Sequence, residues 1–132
     1  MKFNTADKWF SLYIRLRDVV AQEMIICITC GRVIHWRNSD CGHYMTREKP
    51  MTRYNEQNCN AQCKECNRFR SGEQSQHGKM IDKKYGKGIS NKLIALSRIR
   101  GQKIHTKLAL KEIAKEYRIK AKKIAKEKDI EL

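Results

Sequence analysis

Four of the six cysteines in this chain fall into two Cys-x-x-Cys pairs, Cys27/Cys30 and Cys63/Cys66. Two residues between thiols let one tight turn offer both sulfurs to the same ion. The pairs can therefore close a single tetrahedral site between segments far apart in sequence. Four soft thiolates suit zinc. The residues from Met1 to Asp7 carry no apolar stretch of the kind a secretory signal needs, so zinc is favoured over two disulfides. Cys41 and Cys59 are left over and are expected to be buried free thiols.

The chain has 132 residues, 29 of them Lys or Arg against 14 Asp or Glu, a formal charge of +15. That length fits one domain, or one small domain with helical additions. No apolar run approaches the roughly 18 residues needed to cross a membrane, so the expectation is a soluble, cytoplasmic protein with no membrane partner. The charge is uneven: residues 1–30 hold 4 basic and 3 acidic residues, residues 31–100 hold 15 and 6, and residues 101–132 hold 10 and 5. A basic excess without an apolar anchor points to a polyanion, and nucleic acid above all.

Ala6, Trp9, Phe10, Tyr13, Leu16 and Val20 recur at helical spacing, predicting a helix from a Thr5 cap to about Gln22. Met24 to Ile28 reads as a strand entering a knuckle at Gly31, Arg32 to Trp36 as its returning partner, and Asn38 to Asp40 as a turn. From Cys41 to Asn60 the pattern is irregular, with one short strand near His43 to Thr46 and a loop from Pro50 to Asn55. A two-turn helix is predicted over Asn67 to Arg70, a second from Glu73 to Tyr85 closed by Gly86 and Gly88, and a third from a Ser90 cap to about Arg100. A last helix spans Lys103 to about Lys128, with an apolar stripe through Leu110, Ile113, Tyr117, Ala121 and Ala125 that could dock on the domain or pair with a second copy. The reading is α+β, divided into an N-terminal helix (1–23), a cysteine-bracketed core (24–72) and a basic helical extension (73–132).

Between the cysteine pairs stand residues that a bare zinc module does not need. His43 follows Asp40-Cys-Gly, Asn58 lies further along the loop, and Asn67 directly follows Cys66. This arrangement resembles the His-Asn-His (HNH) nucleases in their His-Asn-Asn variant, built on a ββα-metal finger, and the metal core of phage endonuclease VII. Five segments carry a closer resemblance: Cys27-Ile-Thr-Cys-Gly31, Asp40-Cys-Gly-His-Tyr44, Arg53-Tyr-Asn-Glu-Gln-Asn58, Gln62-Cys-Lys-Glu-Cys-Asn67 and Ser71-Gly72. Together with the Asp7-Lys-Trp-Phe helix and His77 to Gly86, they are similar to the phage NinG (Rap) recombination protein family over roughly residues 5–100. The resemblance implies a structure-selective endonuclease, phage or prophage encoded, that cuts Holliday junctions and D-loops in the bacterial host cytoplasm. It implies His43 as general base, Asn58 as loop anchor and Asn67 as ligand of a catalytic divalent metal.

The chemistry agrees with that assignment. Imidazole titrates near neutrality, and an oxygen ligand holds the cation that takes up charge at the phosphate. Zinc held by four sulfurs has no open position. The thiolate site is then structural, and Mg²⁺ or Mn²⁺ is the catalytic ion. Many family members carry an aspartate directly before the histidine; here Gly42 stands there, and Asp40 is the nearest carboxylate. Arg47, Lys49, Arg53, Arg68 and Arg70 are candidate DNA contacts, with Arg68 and Arg70 foremost beside Asn67, and His77 is a further metal or phosphate candidate. His35 is expected on the surface and His105 in solvent. Symmetric junction cleavage needs two active sites, so a homodimer is expected. The competing readings are an HNH enzyme cutting or nicking linear duplex, and a non-catalytic zinc-stapled nucleic-acid-binding module.

Overall fold

A computed structural model describes residues 2–100 and 103–132. Helix α1 (Asn4–Arg17) is followed by the short hairpin of β1 (Met24–Ile26) and β2 (Val33–His35). A 3₁₀ turn at Trp36–Asn38 leads into β3 (Ser39–His43), then the single-turn helix α2 (Pro50–Arg53) and β4 (Cys59–Cys63). Strands β3 and β4 form a second antiparallel pair, with Asp40 opposite Gln62, Cys41 opposite Ala61, and His43 opposite Cys59. A π turn at Glu65–Phe69 precedes α3 (Gln74–Tyr85), α4 (Ile89–Ser97) and α5 (Lys107–Glu127). The architecture is α+β, with two small antiparallel sheets among helices.

Helices α1 and α5 lie side by side in the same direction. His105, just before α5, meets the Phe3 ring edge-on at 5.9 Å, and Lys128, just after α5, donates to the carbonyls of Leu16, Arg17 and Val19. That ammonium satisfies the orphan carbonyls at the end of α1, where a helix dipole also favours a cation. The apolar stripe of α5 is docked within the chain: Ala121 and Ala125 pack with Leu16, Ile25, Trp36 and Ala61, while Tyr117 packs on Phe10, Ile14 and Cys59. The stripe of α5 therefore docks within the chain, on the aromatic face of α1. No described helix is long and apolar enough to cross a membrane.

Several local expectations shift. Thr5 lies inside α1, whose N-cap is Phe3; α1 ends at Arg17 with Asp18 as its C-cap, and Gln22 and Glu23 lie in a turn with positive φ. Ser39 and Asp40 belong to β3 and not to a turn. β4 begins at the end of the stretch that reads as irregular and is not expected there, because its alternate residues, Asn60 and Gln62, are polar yet fully buried. Ser90 sits within α4 and bonds Asp82, while Gly88 takes the cap with φ of 90°. Thr106 caps α5 from its side chain, so that helix begins at Lys107. The knuckle glycine, Gly31, has φ of 77°, a conformation that L side chains rarely adopt.

Asn60 faces α3, where His77 is wholly buried, 3.2 Å from the Asn60 amide and edge-on to Tyr44. Burial, reinforced by His43 and Lys84, brings the His77 imidazole down to about 4. A histidine whose folded pKa is depressed leaves stability intact above its unfolded value and removes it as pH falls. The window runs from about 6.5 down to about 4, and the loss across it is on the order of 3 kcal/mol. Urea titrations across this window should show that loss, and His77→Gln should be less stable at neutral pH but lack this part of the acid slope.

Candidate active site and metal centre

The sulfurs of Cys27, Cys30, Cys63 and Cys66 all lie within 4.8 Å of one another, and all six cysteines are free of disulfides. The knuckle turn supplies the first two ligands, the end of β4 and the π turn the others. Backbone amides are aimed at the cluster: Cys63 N–H donates to Cys27 Sγ at 3.3 Å and Cys66 N–H to Cys63 Sγ at 3.5 Å. Burial raises the Cys27 thiol, but the Cys63 amide, the Thr29 hydroxyl and neighbouring amides outweigh it and bring it down to about 6. Burial pushes Cys66 up to about 12. Four thiolates this close cannot ionise together without a cation between them, and the donor set fits a structural ion such as zinc.

Beside this cluster is a cleft of about 630 Å³ whose walls include Asp7, Asp40, Cys41, His43, Asn67 and Arg68. A larger groove of about 740 Å³, on the side of the knuckle facing Met80 and Lys84, holds none of His43, Asp40 or Asn67. His43 closes β3, and its Nε2 lies 3.0 Å from the carbonyl of Arg53. A carbonyl only accepts, so Nε2 carries the proton and the lone pair of the neutral ring is at Nδ1. Burial holds this imidazole below its ordinary range, and the Arg53 carbonyl opposes that shift.

Asn58, fully buried, ties the intervening loop. Its Oδ1 accepts from Met45 N–H at 2.8 Å, and its Nδ2 donates to the carbonyls of Met45 and Thr52. Asn67 Nδ2 donates to Asp40 at 2.9 Å, and Arg68 grips the same carboxylate through two nitrogens at 2.8 and 3.0 Å. Asp40 and Asn67 are thus neighbours at the cleft, although the two-turn helix expected after Cys66 is one π turn.

Gly42 has a steric reason to be glycine. A Cβ there would lie 2.2 Å from Gln62 Oε1, and Gln62 is itself held by its Nε2 to Thr29 and to the carbonyl of Gly72. An aspartate at this position has no room.

The cationic candidates divide. Arg68 and Arg70 are exposed beside Asn67, Arg70 paired with Glu65 and Glu73. Arg47 is exposed at the cleft, 3.6 Å from Asp7, and Lys49 is half-buried before α2. Arg53 is not a free cation. Its side chain is 11% exposed and gripped by Asp7 at 2.6 and 3.1 Å, and its guanidinium stacks 3.8 Å over Phe3. Tyr54 also donates to Asp7, at 2.7 Å. This clamp fixes the backbone whose carbonyl receives His43. His77 lies on the far side of the β3–β4 pair, with Asn60, away from solvent. His105 is packed between Phe3 and Tyr54 and bonded to the Pro50 carbonyl, not solvated, whereas His35 is half-exposed as expected.

Sequence reading missed Asp7, Gln62 and Phe69. Asp7 is the one acid in the first turn of α1, but nothing local pairs it with Arg53. Phe69, between Arg68 and Arg70, is 82% exposed, and an aromatic flanked by arginines after a Cys-x-x-Cys is a signal that was present.

A cysteine cluster fit for a structural ion beside a cleft of histidine, asparagine and aspartate defines a small metal-binding α+β protein. The family model described as "NinG: Bacteriophage Lambda NinG protein" matches residues 2–127, and the chain belongs to that family. The match continues through the lysine-rich last helix, beyond the segments that carried the resemblance. No curated protein and no solved structure matches the chain.

Two outcomes follow. Cys63→Ser should release the bound zinc and unfold the knuckle, read by metal analysis and circular dichroism. Gly42→Ala should cost about 1–3 kcal/mol by overpacking against Gln62, read by urea denaturation.

Proposed function

We propose that this protein is a metal-dependent endonuclease acting on branched DNA recombination intermediates such as Holliday junctions and D-loops. Membership of the NinG family suggests a recombination-related phage role. The observation that carries the finer reading is the cleft that gathers His43, Asp40 and Asn67 at the rim of the cysteine cluster. In this reading the β3–β4 pair and the π turn form a shortened ββα-metal finger.

The residues fit the chemistry. Asp40 and Asn67 offer oxygen donors side by side, the set a hard cation such as Mg²⁺ or Mn²⁺ takes. When bound, that cation supplies charge stabilisation at the scissile phosphate. His43, oriented by the Arg53 carbonyl and kept neutral by burial, takes a proton at Nδ1 from the attacking water. Asn58 keeps the loop that carries the Arg53 carbonyl in place. Arg47, Arg68 and Arg70 meet phosphates without reading sequence, which suits recognition of branch geometry. Phe69 favours branched over linear duplex, because an exposed aromatic beside arginines is a platform for an unstacked base. Symmetric cutting requires a second copy, whose contact must use a surface other than the α1–α5 pair.

A cleavage assay on a labelled four-way junction and matching linear duplex tests this. Junction cutting should need added Mg²⁺ or Mn²⁺ and vanish in His43→Ala while DNA binding persists. It should fall as pH drops through the lowered pKa of His43, because only the neutral ring accepts a proton. Phe69→Ala should weaken junction binding roughly tenfold and duplex binding less. Equal cutting of duplex would instead favour a linear-DNA enzyme, and binding without cleavage under any metal would leave a non-catalytic DNA-binding protein.

A further inference from the structure

Cys41 and Cys59 play no part in the four-cysteine cluster, yet they stand in a specific arrangement with His43. The sulfurs of Cys41 and Cys59 and a ring nitrogen of His43 all lie within 4.8 Å of one another. The strand register produces this. His43 is directly opposite Cys59, and Cys41 is opposite Ala61, so all three side chains occupy one face of the β3–β4 pair. The backbone groups of Cys59 and Ala61 point away from β3, toward Arg17, Asp18 and Ile28. His43 and Cys59 are therefore a non-hydrogen-bonded pair, the kind whose side chains approach most closely.

We infer that Cys41, His43 and Cys59 form a second zinc site, distinct from the structural one, with an open fourth position toward the cleft. Two thiolates and an imidazole are a ligand set for zinc, and three protein ligands leave one position free. The Arg53 carbonyl at 3.0 Å from Nε2 holds the His43 ring beside the two sulfurs, as an outer partner of a metal-ligating histidine does. Cys59 is fully buried at the floor, while Cys41 and His43 line the cleft and give an ion its way in. Zinc held there takes the lone pair of His43. On the nuclease reading, an occupied site is therefore a switched-off enzyme, and zinc and the catalytic proton transfer compete for one atom.

The test starts from protein carrying zinc on its four-cysteine cluster alone. Further Zn²⁺ is added in equilibrium dialysis, and Co²⁺ in a parallel absorption titration that reads sulfur-to-metal charge transfer. Wild type should take up a second equivalent. Cys41→Ser and Cys59→Ser should keep the first and lose the second; Cys41, only half-buried, serves as the substitution if the change at Cys59 impairs folding. Saturation at the first equivalent, a second equivalent bound equally by both variants, or a native Cys41–Cys59 disulfide would overturn the site. Mg²⁺-supported junction cleavage separates this from the function. Zinc should inhibit wild type at least tenfold and Cys41→Ser far less. Cysteine-dependent zinc binding with no effect on cleavage would uphold the site and remove His43 as the base.

Discussion

The outer edge of β4 is the constraint on which the structure turns. A two-stranded pair leaves one row of backbone groups on each strand unpaired, and an isolated hairpin is marginal in water. Here the outer row of β4 is satisfied by partners that are not strands. Arg17 donates to the Cys59 carbonyl at 2.9 Å, and Asp18 accepts from Ala61 N–H at 2.7 Å. Ile28 N–H donates to the Ala61 carbonyl, and Cys63 N–H reaches Cys27 Sγ. One strand edge thereby joins the end of α1, the knuckle and the cysteine cluster. Burial alone would raise the Asp18 carboxyl, but Arg17, Lys84 and the Ala61 amide hold it low. Removing either member of the Arg17–Asp18 pair leaves the other charge buried and unpaired, which is far more costly than the pair is stabilising.

That edge also sorts the chemistry onto two faces. With Cys59, Ala61 and Cys63 bonded outward, their side chains share a face with Cys41 and His43; Cys59 and Cys41 pack against Phe10 and Ile14 of α1, Ala61 packs on Leu16, and Cys63 enters the cysteine cluster. The intervening Asn60 and Gln62 turn to the opposite face, Gln62 to Thr29 and the Gly72 carbonyl and Asn60 to α3, where it receives Tyr85 and Lys84 as well as its contact with His77. His43 and His77 are thus separated by a strand, although both imidazoles are of lowered basicity. What distinguishes His43 is its access to the cleft.

The parts of the fold legible in the sequence were those with a periodic or spaced signal. The aromatic stripe of α1, the Cys-x-x-Cys-Gly knuckle, the Gly86 end of α3 and the stripe of α5 each satisfy a local rule that tertiary packing does not overturn. β4 had no such signal, because Asn60 and Gln62 are buried polar residues whose hydrogen bonds come from distant elements. The same limit hid the fate of Arg53. In the loop after His43 it reads as a cation for DNA, but Asp7, distant in sequence, neutralises it and makes it a brace for His43. The family resemblance brought His43 and Asn67 together, with Asp40 as the nearest carboxylate; the reason for Gly42 needed Gln62, which the strand register sets diagonally across from it, opposite Asp40.

The formal charge of +15 therefore overstates the cationic charge that is free near the cleft. Arg17 and Arg53 are internal, and Arg68 and Arg70 are engaged with Asp40, Glu65 and Glu73. These last pairs are exposed on the arginine side, where an ion pair contributes only about 0–1 kcal/mol, so a phosphate can displace them. Arg68 matters most, since its partner is Asp40. On the nuclease reading, the carboxylate that holds a cation is the one that keeps Arg68 from a phosphate. With a cation held at Asp40, Arg68 would be free for the strand, and with Arg68 on a phosphate, Asp40 would be free for the cation. The two events are linked through one side chain, and linkage of this kind is reciprocal. Asn67, bonded to the same carboxylate, is the residue positioned to stay with Asp40 through that exchange.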